Sequence, residues 1–387
     1  MNMKYKRLGE LCDIVSGGTP SRSKTEYWNE GTIPWIKISN IKGKYVNEAD
    51  EFITQRGIDK SSAKLLAKGT VLYSIFATLG EVSILGIDAC TNQAIAGIAI
   101  KDVSKLDTDY LYYYLKSKKY YVNNIGRGVA QNNINMSILR NFEVPLPELC
   151  KQKEIVAILD MALNIILARK QEIKKLDDLI KARFVEMFGT YPMNEKGWDI
   201  GNIRDVVSEV RYGSSRPAVD GGRYPYLRMN NITYGGELDL SDTKRIDIPD
   251  NELEKCTVQR GDVLFNRTNS KELVGKTCVY NRDEMMVLAG FVIRVRVNEK
   301  VLPEFLSAFL NTDFSKKMLL GMCKTAIGQA NINAQELQNI GLYVPPVNLQ
   351  QEFVDFKDQV DKSKVAVQKA LDETQILFDS LMQEYFG

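Results

Sequence analysis

The sequence contains no histidine among its 387 residues. Histidine is the commonest general base and transition-metal ligand, so its absence excludes Ser-His and Cys-His catalytic arrangements and most hydrolytic mechanisms. Six cysteines are present, but no two are close enough in sequence to form a zinc-type CxxC pair. We therefore expect free thiols, and we predict no metal site and no bound cofactor.

The sequence also lacks long apolar runs and a strong net charge. No stretch approaches the roughly eighteen apolar residues that cross a bilayer, and residues 1–7 lack the apolar core of a signal peptide. We expect a cytoplasmic protein with no membrane partner. The formal net charge is only +2, so a nucleic-acid surface would have to be a local patch.

The strongest positive signal is internal repetition at a spacing of about 190 to 200 residues. Three pairs of segments correspond in the same order: 34–41 with 225–232, 68–74 with 260–266, and 131–135 with 329–333. Such ordered agreement is unlikely by chance, and a chain of this length is expected to hold two domains. The sequence therefore predicts two copies of one folding unit.

Each copy divides into a globular part and a long helix. Short β-type runs broken by Gly, Asn and Pro, with one helix-like segment, fill the globular parts at 1–149 and 190–346. The helices at 150–189 and 347–387 follow prolines and end at Gly189 and Gly387. The predicted fold class is α+β, with two duplicated mixed α/β domains separated by two long antiparallel helices that form a pseudo-twofold coiled coil.

Both helices have one apolar face at heptad spacing. We predict a helix–helix seam formed by Ile155, Leu159, Ile166, Ile173, Leu176, Ile180, Phe353, Val360, Val367, Leu371, Phe378 and Leu381. The first helix has eight Lys or Arg against six Asp or Glu, and the second has four against eight, so opposite net charge weakly favours pairing. A length of about 55 Å would make the pair a spacer; the alternative is that each helix packs only on its own domain.

Residue types that read base edges occur within the repeated motifs. Arg and Lys suit guanine, and Asn and Gln suit adenine. We predict DNA contacts from Lys37, Ser39 and Asn40 in the first copy, and from Arg228 and Asn230 in the second. The alternative is that these residues form the solvated face of a half-buried strand.

Glycine-rich basic loops add candidates for phosphate and groove contacts. They are Arg22, Arg127, Gln131 and Asn132 in the first copy, and Arg211, Arg216, Arg223, Arg267, Asn269, Lys271 and Gln329 in the second. Plain surface loops are the alternative for the segments around Arg22 and Arg216. The tyrosine-rich segment 112–121 permits base stacking, but its helical spacing favours core packing.

At this point the pattern resembles the specificity subunits of type I restriction-modification systems along essentially the whole chain. The matching motifs are Pro-Trp-Ile at 34–36, Pro-Tyr-Leu at 225–227, the Gly69 and Gly261 strand motifs, Gln93 within 91–94, and the helix starts at 152–155 and 350–353. One departure is that Leu288-Ala289-Gly290 stands where the first copy has Asn92-Gln93, which puts the role of that motif in doubt.

The resemblance implies that each domain is a target-recognition domain for one half of an asymmetric, bipartite site in double-stranded DNA. It implies partners that carry the chemistry: two S-adenosylmethionine-dependent adenine methyltransferase subunits and two ATP-driven restriction subunits. The chain itself would then be no enzyme. An amino-methyltransferase needs Asn or Asp before Pro-Pro, whereas Val344 precedes the pair here, and Gly275-Lys276-Thr277 lacks the leading glycine of a phosphate-binding loop.

Two other functions stay open from the sequence. One is a stand-alone DNA methyltransferase or magnesium-dependent nuclease, although the available acidic residues form no convincing group. The other is a coiled-coil scaffold whose duplicated domains bind protein.

Overall fold

The computed structural model describes residues 4–126, 134–326 and 329–387, without the side chains of 124–126, 324–326 and 329. The chain divides into two compact units. The first unit comprises Met1–Ala168 and Ala370–Gly387, and the second comprises Arg169–Lys369. Each unit therefore contains one globular domain and one end of each long helix.

The first unit is built from ten strands and six helices among its described residues, the last helix continuing into the second unit. The strands are β1 (Tyr5–Arg7), β2 (Cys12–Ser16), β3 (Ile33–Ile36), β4 (Tyr45–Val46), β5 (Glu51–Ile53), β6 (Val71–Ser74), β7 (Val82–Leu85), β8 (Cys90–Thr91), β9 (Ile95–Ile100) and β10 (Glu143–Pro145). The helices are α1 (Leu8–Leu11), α2 (Gln55–Asp59), α3 (Thr108–Ser117), α4 (Lys119–Gly126), α5 (Met136–Arg140) and α6 (Leu149–Phe188).

The second unit has the following further elements. The strands are β11 (Asp199–Asn202), β12 (Val207–Tyr212), β13 (Tyr224–Leu227), β14 (Lys244–Ile246), β15 (Thr257–Val258), β16 (Val263–Asn266), β17 (Thr268–Asn269), β18 (Thr277–Val279), β19 (Met286–Leu288), β20 (Val292–Val297), β21 (Lys324–Ala326), β22 (Gln329–Asn331) and β23 (Gly341–Val344). The helices are α7 (Asp250–Cys256), α8 (Pro303–Leu310), α9 (Asp313–Met322), α10 (Ala334–Gln338) and α11 (Val347–Phe386).

The two globular domains share a sheet topology. The larger sheet has the order β2-β9-β6-β7-β4 in the first unit and β12-β20-β16-β18 in the second. A smaller sheet has the order β5-β3-β8 in the first and β14-β13-β19-β15 in the second. In both smaller sheets the strand of the proline-aromatic motif pairs in parallel, Trp35 with Cys90 and Tyr226 with Val287. The repetition seen in the sequence is thus repetition of one fold.

The predicted helix-like segment of each domain is two shorter helices, α3 with α4 and α8 with α9. Tyr112, Tyr113 and Tyr114 of α3 are buried, whereas Tyr120 and Tyr121 of α4 are exposed. The buried tyrosines belong to the core, which leaves only the two exposed rings accessible for stacking.

The ends of α6 and α11 within the second unit run antiparallel. The rings of Phe184 and Phe353 have centroids 5.3 Å apart, and Lys364 Nζ lies 2.6 Å from Asp177 Oδ1. An earlier residue of α6 therefore meets a later residue of α11. Phe305 of α8 stacks on Phe184 at 5.5 Å, so the helix pair is continuous with the core of this domain.

Within the first unit both long helices pack against α3. The hydroxyl of Tyr113 donates to Asp160 Oδ1 at 2.5 Å, and its ring lies 6.2 Å from that of Phe378. Phe386 packs on Tyr110 at 5.1 Å. The last turns of α11 are therefore part of the core of the first unit.

The predicted seam residues differ in burial. Eight are buried, namely Ile155, Leu159, Ile166, Phe353, Val360, Val367, Leu371 and Phe378, and four are half-buried, namely Ile173, Leu176, Ile180 and Leu381. Among the described residues, no helix has the length and apolar character needed to cross a membrane.

Candidate nucleic-acid interface

The loop after the first long strand of each domain passes very close to a neighbouring strand. A β carbon added at Gly17 would lie 2.2 Å from the Thr91 hydroxyl, and one added at Gly213 would lie 2.2 Å from the Leu288 carbonyl oxygen. Any side chain would force these segments apart. Glycine at both positions is therefore required by the same close approach.

The aromatic residue of each proline motif fixes this loop. The indole nitrogen of Trp35 donates to the Gly18 carbonyl at 3.0 Å. The hydroxyl of Tyr226 donates to the Ser214 carbonyl at 3.2 Å. Trp35 and Tyr226 are 2% and 5% exposed, and buried indole and phenol groups normally need such a partner. These motif aromatics position the loop from within the core.

A tight turn follows each motif strand and is closed by an asparagine. Asn40 accepts from the Lys37 backbone N–H at 2.9 Å and donates to Asp50 at 2.9 Å. Asn231 accepts from the Arg228 backbone N–H at 2.8 Å. The amide of Asn40 is therefore engaged in shaping the turn, and its contact with bases stays a prediction.

The residues just before the closing asparagines have a different environment. Ser39 and Asn230 are exposed at the tips of the turns Ile38–Asn40 and Met229–Asn231. A serine hydroxyl and an asparagine amide both hydrogen-bond to base edges. The same scaffold therefore presents different chemistry in the two domains.

Three further segments of the first domain are linked to the motif strand, one after another, by backbone hydrogen bonds. The Asn92 N–H donates to the Ile36 carbonyl at 3.0 Å, the Ile75 N–H to Ala94 at 2.8 Å, and the Ile134 N–H to Ile75 at 3.0 Å. We call this part of the domain its loop edge; it comprises 17–19, 37–40, 75, 92–94 and 134.

The second domain has an equivalent loop edge, comprising 213–216, 228–231, 267, 289–290 and 332. Here the Ala289 N–H donates to Leu227 at 2.9 Å, the Arg267 N–H to Phe291 at 3.0 Å, and the Ile332 N–H to Arg267 at 2.9 Å. Because the backbone bonds repeat, differences between the two edges are differences of side chains.

Lys37 of the first loop edge shares one carboxylate with Arg22, which follows the 17–19 segment. Arg22 and Lys37 each lie 2.5 Å from an oxygen of Glu51. The hydrogen bond from Lys37 lowers the pKa of Glu51, with a smaller contribution from Arg22. The guanidinium of Arg22 also lies 3.7 Å from the centre of the Trp28 ring, a cation–π contact that pre-orders the arginine.

The predicted arginines of the second domain are also paired. Arg228 lies 2.9 Å from Asp242, Arg216 lies 2.7 Å from Glu252, Arg223 lies 3.2 Å from Asp250 and Arg211 lies 2.9 Å from Glu209. Solvent screens exposed pairs such as Arg216–Glu252 and Arg223–Asp250, so they contribute little to stability. Exchanging a carboxylate for a DNA phosphate would therefore cost little.

Arg294 and Arg296 have a structural role instead. Arg294 is 2% exposed and lies 2.6 Å from Glu209, while Arg296 lies 2.8 Å from Asp262, which is 1% exposed. Breaking a buried pair is strongly destabilising. These two arginines join β16 to β12 and β20 and are not candidates for DNA contact.

Arg267 lies at the centre of the second loop edge. Its guanidinium is 4.7 Å from the centre of the Tyr212 ring and donates to Asn331 at 3.2 Å. Asn269 donates to Asn266 at 2.9 Å, and Lys271 is exposed. The predicted residues Arg127, Gln131 and Asn132, and the side chain of Gln329, lie outside the described residues.

Sequence reasoning missed the partners that hold these arginines. Glu51, Tyr212 and Asp242 lie on other segments of the chain than the cations they contact, whereas Trp28 is close in sequence to Arg22. The only available signal was aromatic and acidic residues near the repeated motifs, and it does not specify which arginine each would contact.

Two buried cysteines, Cys12 and Cys90, are poorly suited to nucleophilic catalysis or metal binding. Burial raises the pKa of Cys12 to about 12 and of Cys90 to about 11, so both thiols stay protonated at neutral pH. Across 4–126, 134–326 and 329–387, no group of three or more Cys, Asp or Glu residues has metal-binding geometry.

Comparison with known proteins agrees with this geometry. Residues 1–177 and 195–374 match the type I restriction modification DNA specificity domain. The EcoKI specificity subunit of Escherichia coli K12 is 23% identical over 409 residues, covering 98% of this chain and 87% of that protein. The MjaIX specificity subunit of Methanocaldococcus jannaschii is 27% identical over 262 residues, covering 61% of this chain and 60% of that protein.

Solved structures share the fold. The S subunit of a type I restriction-modification system from M. genitalium has a TM-score of 0.53 at 14% identity, covering all of this chain and 97% of its own. A structure from a study of type I complex assembly and conformational transition has a TM-score of 0.59 at 18% identity, covering 99% and 97%.

The duplicated domains and their matched loop edges define a class of DNA-reading proteins with two recognition domains. The chain belongs to the type I restriction-modification DNA specificity family. Proteins of this family are the target-recognition subunits, and catalysis lies in other subunits of the system. The family assignment favours neither a stand-alone enzyme nor a protein-binding scaffold.

Proposed function

We propose that each loop edge reads one half of an asymmetric, bipartite target in double-stranded DNA. The observation that carries this proposal is the repeated backbone scaffold with unequal tips: Ser39 and Gln93 in the first domain, Asn230 and Gly290 in the second. Equal scaffolds dock on DNA in the same way, and unequal tips select different bases.

The predicted arginines in the loop edges and in the segments that flank them divide into two groups by their environment. Arg22 and Arg267 lie on aromatic rings and are pre-ordered, as suits base readout. Arg211, Arg216 and Arg223 are half-exposed or more in weak ion pairs, as suits phosphate contacts. On binding, each phosphate would displace a carboxylate and release counterions.

The partners follow from the family. We propose that this subunit directs two adenine-methylating subunits and two ATP-driven restriction subunits to the target, and that it works in the cytoplasm. Exposed apolar residues on α6, namely Ile158, Met161 and Ile165, are spaced along one face and support docking of another subunit there. Bound restriction or methylation subunits would supply all the chemistry.

The long helices support a role in setting the gap between half-sites. Each spans 40 residues, so it would be about 60 Å long. Inserting one heptad into both helices should widen the gap between the methylated half-sites, because the seam pattern is kept while the helices lengthen. Methylome sequencing measures the gap directly, and an unchanged gap would refute the spacer role.

A binding assay tests the proposal as a whole. The full chain, co-expressed with the methyltransferase of its own system, should retain duplexes containing one bipartite sequence and release scrambled duplexes of the same length. The chain alone, given S-adenosylmethionine or magnesium, should neither methylate nor cleave DNA. Turnover without a partner would favour the stand-alone enzyme, and protein binding without DNA selectivity would favour the scaffold.

A further inference from the structure

A pair of matched side chains beside each loop edge has a different charge in the two domains. In the first domain, Glu81 and Lys119 form an ion pair at 2.7 Å. In the second domain Lys276 takes the place of Glu81. Leu319 lies against Gly275 as Val122 lies against Gly80, so Lys316, three residues before Leu319, corresponds to Lys119, three residues before Val122. An ion pair in the first domain is therefore replaced by two lysine cations in the second.

Backbone geometry establishes that the positions are equivalent. Gly80 and Gly275, which precede Glu81 and Lys276, have φ values of +79° and +78°. The carbonyl of Glu81 accepts from the Ser74 N–H at 2.9 Å, and that of Lys276 accepts from the Asn266 N–H at 2.8 Å. The two loops make the same backbone hydrogen bond and have the same φ at the glycine. The side chain at this position is acidic in the first domain and basic in the second.

Neither lysine of the second domain has a counter-charge. Lys276 is 6% exposed and donates to the Met229 carbonyl at 2.7 Å, and Lys316 donates to the Gly275 carbonyl at 2.8 Å. Throughout the part of the chain that the structure describes, no carboxylate lies within 4.0 Å of either ammonium group. Both ammonium groups therefore have carbonyl partners and no carboxylate partner among the described residues.

This arrangement is unfavourable in the absence of a ligand. Burial, with smaller contributions from the nearby charges of Lys181 and Lys276, lowers the pKa of Lys316 to about 8. Two partly desolvated cations without an anion cost free energy. A bound anion would offset that cost.

The position of the two lysines indicates which kind of anion would bind there. Met229, which accepts from Lys276, begins the turn that carries Asn230. Tyr234, 56% exposed, has its ring centre 5.4 Å from Lys316 Nζ. An anion held here would adjoin the side chain that we propose to read bases.

We propose that Lys276 and Lys316 form a phosphate-binding site that holds one DNA phosphodiester beside the second recognition turn. The first domain has no such contact, because Glu81 neutralises Lys119. Lys316 contacts the phosphate directly. The buried Lys276 contributes positive electrostatic potential and stabilises the turn through its hydrogen bond to Met229. This inference rests on the proposed DNA-reading function.

Salt dependence of DNA binding tests the site. Using the full chain with its methyltransferase and its methylated target sequence, Lys316→Gln should reduce the slope of log K against log salt by about 0.9, the value for one lost phosphate contact. Lys316→Arg should retain the slope. Glu81→Lys, which gives the first domain the second domain's pair, should steepen it by a similar amount.

Lys317→Gln is the matched control, because Lys317 is an exposed neighbour on α9 with the same charge. A wild-type slope in Lys316→Gln, or an equal reduction in Lys317→Gln, would overturn the site. Inorganic phosphate should stabilise the wild type more than Lys316→Gln, because a bound anion offsets the cost of the unpaired cations; if it does so while the DNA slope is unchanged in Lys316→Gln, the DNA assignment is overturned. Absence of any sequence-selective binding by the wild type would instead refute the proposed function.

Discussion

Gln152 and Gln350 make the same three hydrogen bonds in the two repeats. Gln152 accepts from the Asp107 N–H and donates to the Lys105 and Pro147 carbonyls, at 2.8 to 2.9 Å. Gln350 accepts from the Leu302 N–H and donates to the Lys300 and Pro345 carbonyls, at 2.8 to 3.0 Å. Each glutamine therefore joins the first turn of a long helix to the loop before a domain helix.

Replacing either glutamine by alanine should be strongly destabilising. Both side chains are fully buried, and the alanine variant leaves a backbone N–H and two carbonyls without those partners. We expect a loss of about 1 to 3 kcal/mol in the free energy of unfolding, measured by urea denaturation. Gln351→Ala, at an exposed neighbouring position, should change the free energy of unfolding little. Equal losses in the two variants would show that the buried hydrogen bonds add no stability beyond that of an exposed glutamine.

Phe184 tests the contact between the long helices in the second unit. Its ring packs against Phe188, Phe305 and Phe353 and is 1% exposed. Phe184→Ala should cost about 3 to 5 kcal/mol and lower the thermal midpoint. Val185→Ala, on the exposed face at 41%, is the control. A loss below about 1 kcal/mol in Phe184→Ala would contradict this packing.

The recognition turns give a test that separates reading from folding. Ser39→Ala and Asn230→Ala remove exposed groups, so each should alter or relax one position in one half of the methylated sequence while leaving the thermal midpoint unchanged. Asn40→Ala removes the bonds that close the turn, so it should lower stability as well. Methylome sequencing checks the first effect and thermal melting the second. An unaltered methylated sequence in both variants would show that Ser39 and Asn230 do not contribute to base recognition.

Lys316 should make stability depend on pH. Its pKa is about 8 in the folded chain and about 10.4 in an unfolded one, so the unfolded chain binds more protons between these values. Stability should therefore rise as the pH increases from about 8 to about 10.4, and the same gain is lost when the pH is lowered back to 8. The difference between wild type and Lys316→Met, followed by urea midpoints from pH 7.5 to 9.5, should show this rise. A constant difference would mean that the lysine titrates normally.

The repeat, the long helices and the aromatic motifs were accessible from sequence because each depends on local pattern. Heptad spacing places Phe353 and Phe378 on one face whatever lies opposite. Repetition likewise identifies Trp35 and Tyr226 as equivalent before their contacts are known.

The side-chain partners were not accessible, because they depend on chain segments brought together by folding. Asn40 has the chemistry of an adenine reader, yet it closes a turn with Asp50. Arg22 contacts Glu51, which lies 29 residues later on β5 and is brought beside Trp35 by the pairing of β3 with β5. The charge change from Glu81 to Lys276 gains meaning only once the two loops are matched by their backbone bonds.

Exchange of one recognition domain tests the central claim most directly. Residues 1–149 would be replaced by the corresponding domain of a relative with a different target, and the methylated sequence would be mapped genome-wide in cells that also express the methyltransferase partner. We expect one half of the bipartite sequence to change and the other half to be retained. A change in both halves, or in neither, would contradict the claim that each domain reads its own half-site.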